Sequence, residues 1–120
     1  MSKPKIVIGH RMGKGQNVAR GIEKAGGIAI VVPGMAADMK LGDVMQAEHA
    51  DLGISFCGSG GAGAITAQTK YGYKAVHHLR TVEAGVNAVK EGYQVLGFGF
   101  MDTEELGEKL TLKYLELHHE

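Results

Sequence analysis

The residues best suited to chemistry in this chain lie together. Residues 57 to 63 read Cys57-Gly58-Ser59-Gly60-Gly61-Ala62-Gly63, and Cys57 is the only cysteine among 120 residues. An apolar run, Leu52 to Phe56, leads into this stretch, and an Ala/Ile/Thr/Gln segment of helical character follows it. That order predicts a strand, a tight loop and a helix. Glycines let a backbone approach a ligand closely. A helix beginning there offers N–H groups and the positive end of its dipole to an anion, such as a phosphate or carboxylate. The same dipole end favours a thiolate over a thiol at Cys57. Two readings stay open. One is a reactive sulfur, with Ser59, beside an anion cradle made by Gly58, Gly60, Gly61, Ala62 and Gly63. The other is a small buried hydrophobe that ends a strand before a close-packed turn.

Charged and titratable groups gather at two further points. His10, Arg11 and Lys14 follow the first apolar run, where Arg11 could fork onto a phosphate and Lys14 could act as a point charge; the alternative is a solvated basic loop. His77, His78 and Arg80 come at the end of a later run, Tyr73 to His77. Strand alternation sends His77 and His78 to opposite faces, so at most one is expected to face a common site. Either could move protons near neutral pH, or simply end a strand. Six histidines suggest a metal, but no H-x-x-x-H or Cys/His ladder is present, and His118 and His119 stand at the chain end. No metal and no cofactor is expected.

The elements that must position these groups alternate regularly. Strands are expected at Lys5–Gly9, Ile28–Val32, Leu52–Phe56, Tyr73–His77 and Tyr93–Phe98, and helices at 16–25, 35–50 (interrupted at Gly42), 62–71, 80–90 and 103–119. Asp102, with Glu105 three residues on, reads as the acidic start of the last helix. Strict alternation implies an α/β fold: a mostly parallel five-stranded sheet, doubly wound, with helices on both faces and strand order 2-1-3-4-5. Ligands in such sheets bind beyond the carboxyl ends of the strands, where the order reverses between strands 1 and 3. The loops at His10 and Cys57 should therefore lie side by side.

The totals bound the possibilities further. A chain of 12.7 kDa has room for one domain, residues 1–120. Thirteen basic residues balance thirteen acidic ones, so no overall field favours nucleic acid or an acidic membrane. No apolar run approaches a membrane span, no secretory leader is evident, and a single cysteine suits a reducing cytoplasm. Gly58 to Gly63 literally matches G-x-G-x-x-G, but it follows the third strand and lacks a second nucleotide-binding half. Gly9 to Lys14 is one residue short of a phosphate loop, and no Ser or Thr follows Lys14. Both nucleotide signatures are rejected. A small phosphorylated metabolite is the expected partner, and a homo-oligomer the expected assembly, because small sheets often cover an edge with a neighbour.

The words Ser55-Phe56-Cys57-Gly58-Ser59 identify the chain as resembling the glycine-rich SFCGS family, a bacterial family without an assigned function. Cys57-Gly58-Ser59-Gly60 is also similar to the glycine loop of type B ribose phosphate isomerases and the related galactose phosphate isomerases. That resemblance implies Cys57 as the base beside a sugar carbonyl, Ser59 and the loop amides as holders of the enediolate, and histidines such as His10 in ring opening and phosphate binding. Strand 1 here ends Gly9-His10-Arg11, without the Asp-His pair of those isomerases. A third resemblance, to the phosphocysteine loops of sugar phosphotransferase IIB components, implies a carrier, although their loop follows the first strand. A non-catalytic binding or assembly subunit is the remaining alternative.

Overall fold

The computed structural model describes residues 3–118, so the first two residues of the chain and the last two, His119 among them, lie outside the described residues. The elements run β1 (Lys5–His10), α1 (Gln16–Lys24), β2 (Ile28–Val31), a 3-10 turn (Ala37–Lys40), α2 (Leu41–Glu48), β3 (Leu52–Phe56), α3 (Ala62–Tyr71), β4 (Ala75–Leu79), α4 (Val82–Lys90), β5 (Val95–Phe98) and α5 (Glu104–Leu117). All pairings are parallel, in one five-stranded sheet.

The sheet divides two apolar cores by the alternation of its side chains. Ile6, Ile8, Ile54, Phe56, Leu96 and Phe98 pack under α1, α4 and α5 through Val18, Ile22, Val89, Leu106 and Leu110. On the other face Val7 and Val95 meet Leu41 and Met45 of α2 and Ala64 and Ala67 of α3. Gly42 does not break the second helix. It lies inside α2, where a Cβ would come 3.0 Å from that of Ala67, and the interruption falls earlier, after the 3-10 turn.

Strand order is β2-β1-β3-β5-β4, a correction to the expected 2-1-3-4-5. Burial explains the exchange. Every residue of β5 (Val95–Phe98) is buried, whereas β4 carries His77 and His78 and buries none of its residues completely. The strand apolar on both faces takes the interior, and the polar one takes the edge. With right-handed crossovers, this reversal also moves α4 to the face occupied by α1 and α5. The switch between β1 and β3 is retained. There His10 pairs with Phe56, and the Arg11 N–H donates to the Phe56 carbonyl at 2.8 Å.

Asp102 is a second correction. Thr103 caps α5, its hydroxyl accepting from the Leu106 N–H at 3.2 Å. Asp102 reaches across to α1 and accepts from the Val18 N–H at 2.9 Å and the Asn17 side chain at 3.3 Å. It caps a helix distant in sequence and fastens the loop after β5 beside that after β1.

Candidate functional site

Cys57 leaves β3 on the α2/α3 face of the sheet, the face that Ser55 also occupies. Its side chain is 3 % exposed, yet it is surrounded by donors. The N–H groups of Gly61 and Ala62 each point at Sγ at 3.1 Å, and Ser59 Oγ lies 3.1 Å away. Burial pushes the thiol pKa up. Hydrogen bonds from the Ser59 hydroxyl and from the amides of Ala62, Gly61 and Ser59 outweigh that effect and bring it below the ordinary value. The first amides of α3 thus close around the sulfur itself, stabilising negative charge there.

One glycine of this loop has no substitute. Gly61 sits at φ +106°, and a Cβ on it would stand 2.2 Å from the Gly97 Cα of β5. Both the left-handed backbone and the close approach exclude a side chain. The turn aims Gly61 N–H and Ala62 N–H back at the strand end.

His10 is a second buried titratable group at this rim, 3 % exposed, with its ring 5.7 Å from that of Phe56 and 5.1 Å from that of Phe100. Its Nδ1 accepts from the Met12 N–H at 3.0 Å, so the neutral ring carries its proton on Nε2. Burial lowers its pKa; Asp102 and Asp38 oppose that shift, while Lys14 adds to it. Phe100 links His10 to the cysteine loop, since the space over Gly58 opens onto its ring. Arg11 and Lys14 stand exposed beyond β1.

On the far side of the loop, β4 contributes both histidines. The His78 N–H donates to the Gly60 carbonyl at 2.7 Å, and the His78 ring packs over Gly60. Strict alternation fails here. His78 has φ +66°, the ladder is irregular between Val76 and Leu79, and the rings of His77 and His78 lie 4.3 Å apart with their Nδ1 atoms hydrogen-bonded. The expectation that the two would point apart is therefore corrected: a left-handed residue folds the second ring back beside the first. Arg80 is exposed just after β4.

Sequence reading missed two further residues. Asp38, on the 3-10 turn, has no exposed surface, and neither of its carboxylate oxygens has a hydrogen-bond partner; buried Ser55 Oγ also lacks one. Asp38 stands in the weak helical stretch 35–50, and only its small apolar neighbours Ala36 and Ala37 hinted at burial. Among the described residues, no group of three or more His, Cys, Asp or Glu is placed to hold a metal ion. No helix among them is long and apolar enough to cross a membrane.

The model of the glycine-rich SFCGS family matches residues 4–117. The chain belongs to that family. No curated protein sequence resembles it closely enough to count as a relative. Solved structures that resemble this SFCGS protein include the type B ribose 5-phosphate isomerase of Trypanosoma brucei, with TM-score 0.70 and 20% identity over 97% of this chain and 87% of that one. Ribose-5-phosphate isomerase B of Giardia lamblia gives 0.69 and 18%, over 93% and 94%. The Mycoplasma genitalium enzyme with bound ribulose-5-phosphate gives 0.67 and 16%, over 97% and 86%. At such identities the likeness establishes a common fold.

Proposed function

We propose that this SFCGS protein binds a small phosphorylated sugar at the carboxyl rim of its sheet and isomerises it between aldose and ketose, with Cys57 as the base. The observation that carries this reading is the sulfur held by two helix-terminal amides and a hydroxyl, which lower its pKa. The fold shared with type B ribose 5-phosphate isomerases, one of them holding ribulose-5-phosphate, supports the sugar-phosphate class.

In the proposed step the Cys57 thiolate takes a proton from the carbon beside the sugar carbonyl. The C–H electron pair forms the C=C bond of an enediolate, and the carbonyl pair moves onto oxygen. As the sulfur takes up the proton, the Ser59 O–H and the loop amides that held the thiolate are released to meet that oxyanion. Return of the proton to the neighbouring carbon, with transfer of a hydroxyl proton between the two oxygens, completes the exchange without a cofactor. His10, presenting Nε2–H, assists ring opening. Arg11 and Lys14 after β1, and His77, His78 and Arg80 at the end of β4, are candidate partners of the phosphate, and Gly58, where a Cβ would meet only the Phe100 ring at 3.7 Å, leaves the loop backbone open to the ligand.

Exposed Met35 (70 %), Phe100 (53 %) and Met12 (50 %) edge the same rim, and we place a second copy of the chain over them. Sedimentation should then report a multiple of 12.7 kDa.

The chemistry is tested by incubating the protein with aldose and ketose phosphates in deuterium oxide. Deuterium at the carbon beside the carbonyl, absent with Cys57→Ala, is the expected result. Stabilisation by sugar phosphate without any exchange would instead mark a binding subunit, and acid-labile phosphate on Cys57 after incubation with phosphorylated transfer proteins a carrier.

A further inference from the structure

A carboxylate withdrawn from water and given no hydrogen-bond donor is expensive, and proteins retain such groups where something other than stability needs them. Asp38 is such a group: no exposed surface and two unpartnered oxygens. The backbone around it is shaped to admit it. A Cβ at Gly9, at the end of β1, would lie 3.0 Å from Asp38 Cα; one at Gly63, in the first turn of α3, would lie 2.0 Å from the Asp38 carbonyl oxygen and 2.8 Å from Ser55 Oγ. Two positions without side chains therefore bring the 3-10 turn down over the β1/β3 switch, where Gly9 pairs with Ser55. Ser55 Oγ, two residues before Cys57 on the same face, is the other buried side-chain atom without a partner among the described residues. The charge of Asp38 is felt at His10. Unmatched polar groups thus lie at the β1/β3 switch, beside the first turn of the helix that follows the cysteine loop.

We propose that Asp38, assisted by Ser55, is the hydroxyl-recognising group of this site, accepting hydrogen bonds from adjacent hydroxyls on the carbon chain of the ligand. The inference rests on the sugar-phosphate reading above and adds to it the part of the ligand that is recognised: a polyol chain and not the phosphate alone. A carboxylate matches this task because it is acceptor-only, with room for two donors, and a site that leaves it unpaired rejects analogues lacking the hydroxyls. Asp38 has no exposed surface, so the turn must shift outward to admit the chain. It is tied to the neighbouring loop by the Ala36 N–H donating to the Arg11 carbonyl at 2.6 Å, and it follows the Pro33-Gly34 bend.

The test compares Asp38→Asn and Ser55→Ala with wild type by thermal melting, alone and with ribose 5-phosphate, ribulose 5-phosphate, ethyl phosphate or inorganic phosphate. The inference expects Asp38→Asn to melt at or above wild type without ligand, because a buried carboxyl group with no hydrogen-bond partner is gone. It also expects the extra shift from sugar phosphate over ethyl phosphate to be lost, and Ser55→Ala to reduce it. An Asp38→Asn melting point below wild type, or an undiminished extra shift, overturns the inference. Ser55→Ala, which leaves the buried carboxyl in place, reads the same extra shift independently, and no reduction in it also overturns the inference. A wild type that responds equally to ethyl phosphate and sugar phosphate overturns the hydroxyl role while leaving phosphate binding standing. Full sugar-phosphate shifts with no deuterium exchange sink the isomerase reading and leave this one intact.

Discussion

The two ends of the sheet treat an aspartate in opposite ways, one exposed and one buried. At the amino end, Asp51 accepts from the Lys5 N–H at 2.8 Å and from the Tyr114 hydroxyl at 3.3 Å, joining the start of β1 to the last helix. Beside it lies a cavity of about 240 Å³ lined by Leu52, Tyr93, Gln94, Tyr114 and His118 among others. At the carboxyl end, Asp38 is more deeply buried and has no partner, Ser55 Oγ has none, and a thiol is held toward its charged form. One rim spends its polar groups on holding the fold together. The other uses Asp102 in the same way but leaves Asp38 and Ser55 unpaired and holds His78 at a positive φ, as sites for ligands do.

Four substitutions or conditions test that contrast, in descending order of effect. Cys57→Ser keeps the shape of the loop and should lower deuterium exchange into a sugar phosphate by about 10²–10⁴-fold, as loss of a proton-transfer group does; NMR of the exchanged sugar measures it. Gly61→Ala should destabilise the fold by about 3 kcal/mol, combining overpacking against β5 with a left-handed alanine, and lower the melting temperature by roughly 10 °C. Asp51→Ala, at the other rim, should cost about 1 kcal/mol in denaturant unfolding, the scale of an exposed hydrogen-bonding group that joins two elements. Its exchange rate should match wild type, and a drop comparable to that of Cys57→Ser would erase the distinction between the rims.

The smallest effect is that of pH. Because the Cys57 pKa is lower folded than unfolded, the unfolded chain holds more of that proton between the two values. Stability should therefore rise with pH across that interval and be lost as pH falls back through the folded value. Cys57→Ala should flatten that slope in denaturant melts on the alkaline side of neutrality.

Much of the scaffold could be read from local pattern. β-branched runs located each strand, and Leu52–Phe56 and the helix 62–71 fell where the sequence put them. Alternation tells which way a side chain faces but not which strand is its neighbour, so the exchange of β4 and β5 required weighing the two histidines against the wholly apolar Val95–Phe98. The bend that pairs His77 with His78 depends on a positive φ at a histidine, which no local sequence signal announces. Asp102 read as a cap for its own helix because capping rules are local, whereas its partner is α1. Asp38 was invisible for a related reason. Its burial comes from two glycines, Gly9 and Gly63, that are distant in sequence and meet only once the β1/β3 switch has formed.

The claim beneath both the function and the contrast is that the glycine loop lowers the pKa of Cys57 and holds its sulfur ready for a ligand. The rate of its alkylation as a function of pH, with and without ribose 5-phosphate, tests this most directly. The expected profile has its midpoint below that of a free thiol measured alongside, and the sugar phosphate slows the reaction. A midpoint at or above the free thiol, with no protection by the sugar phosphate, would contradict it.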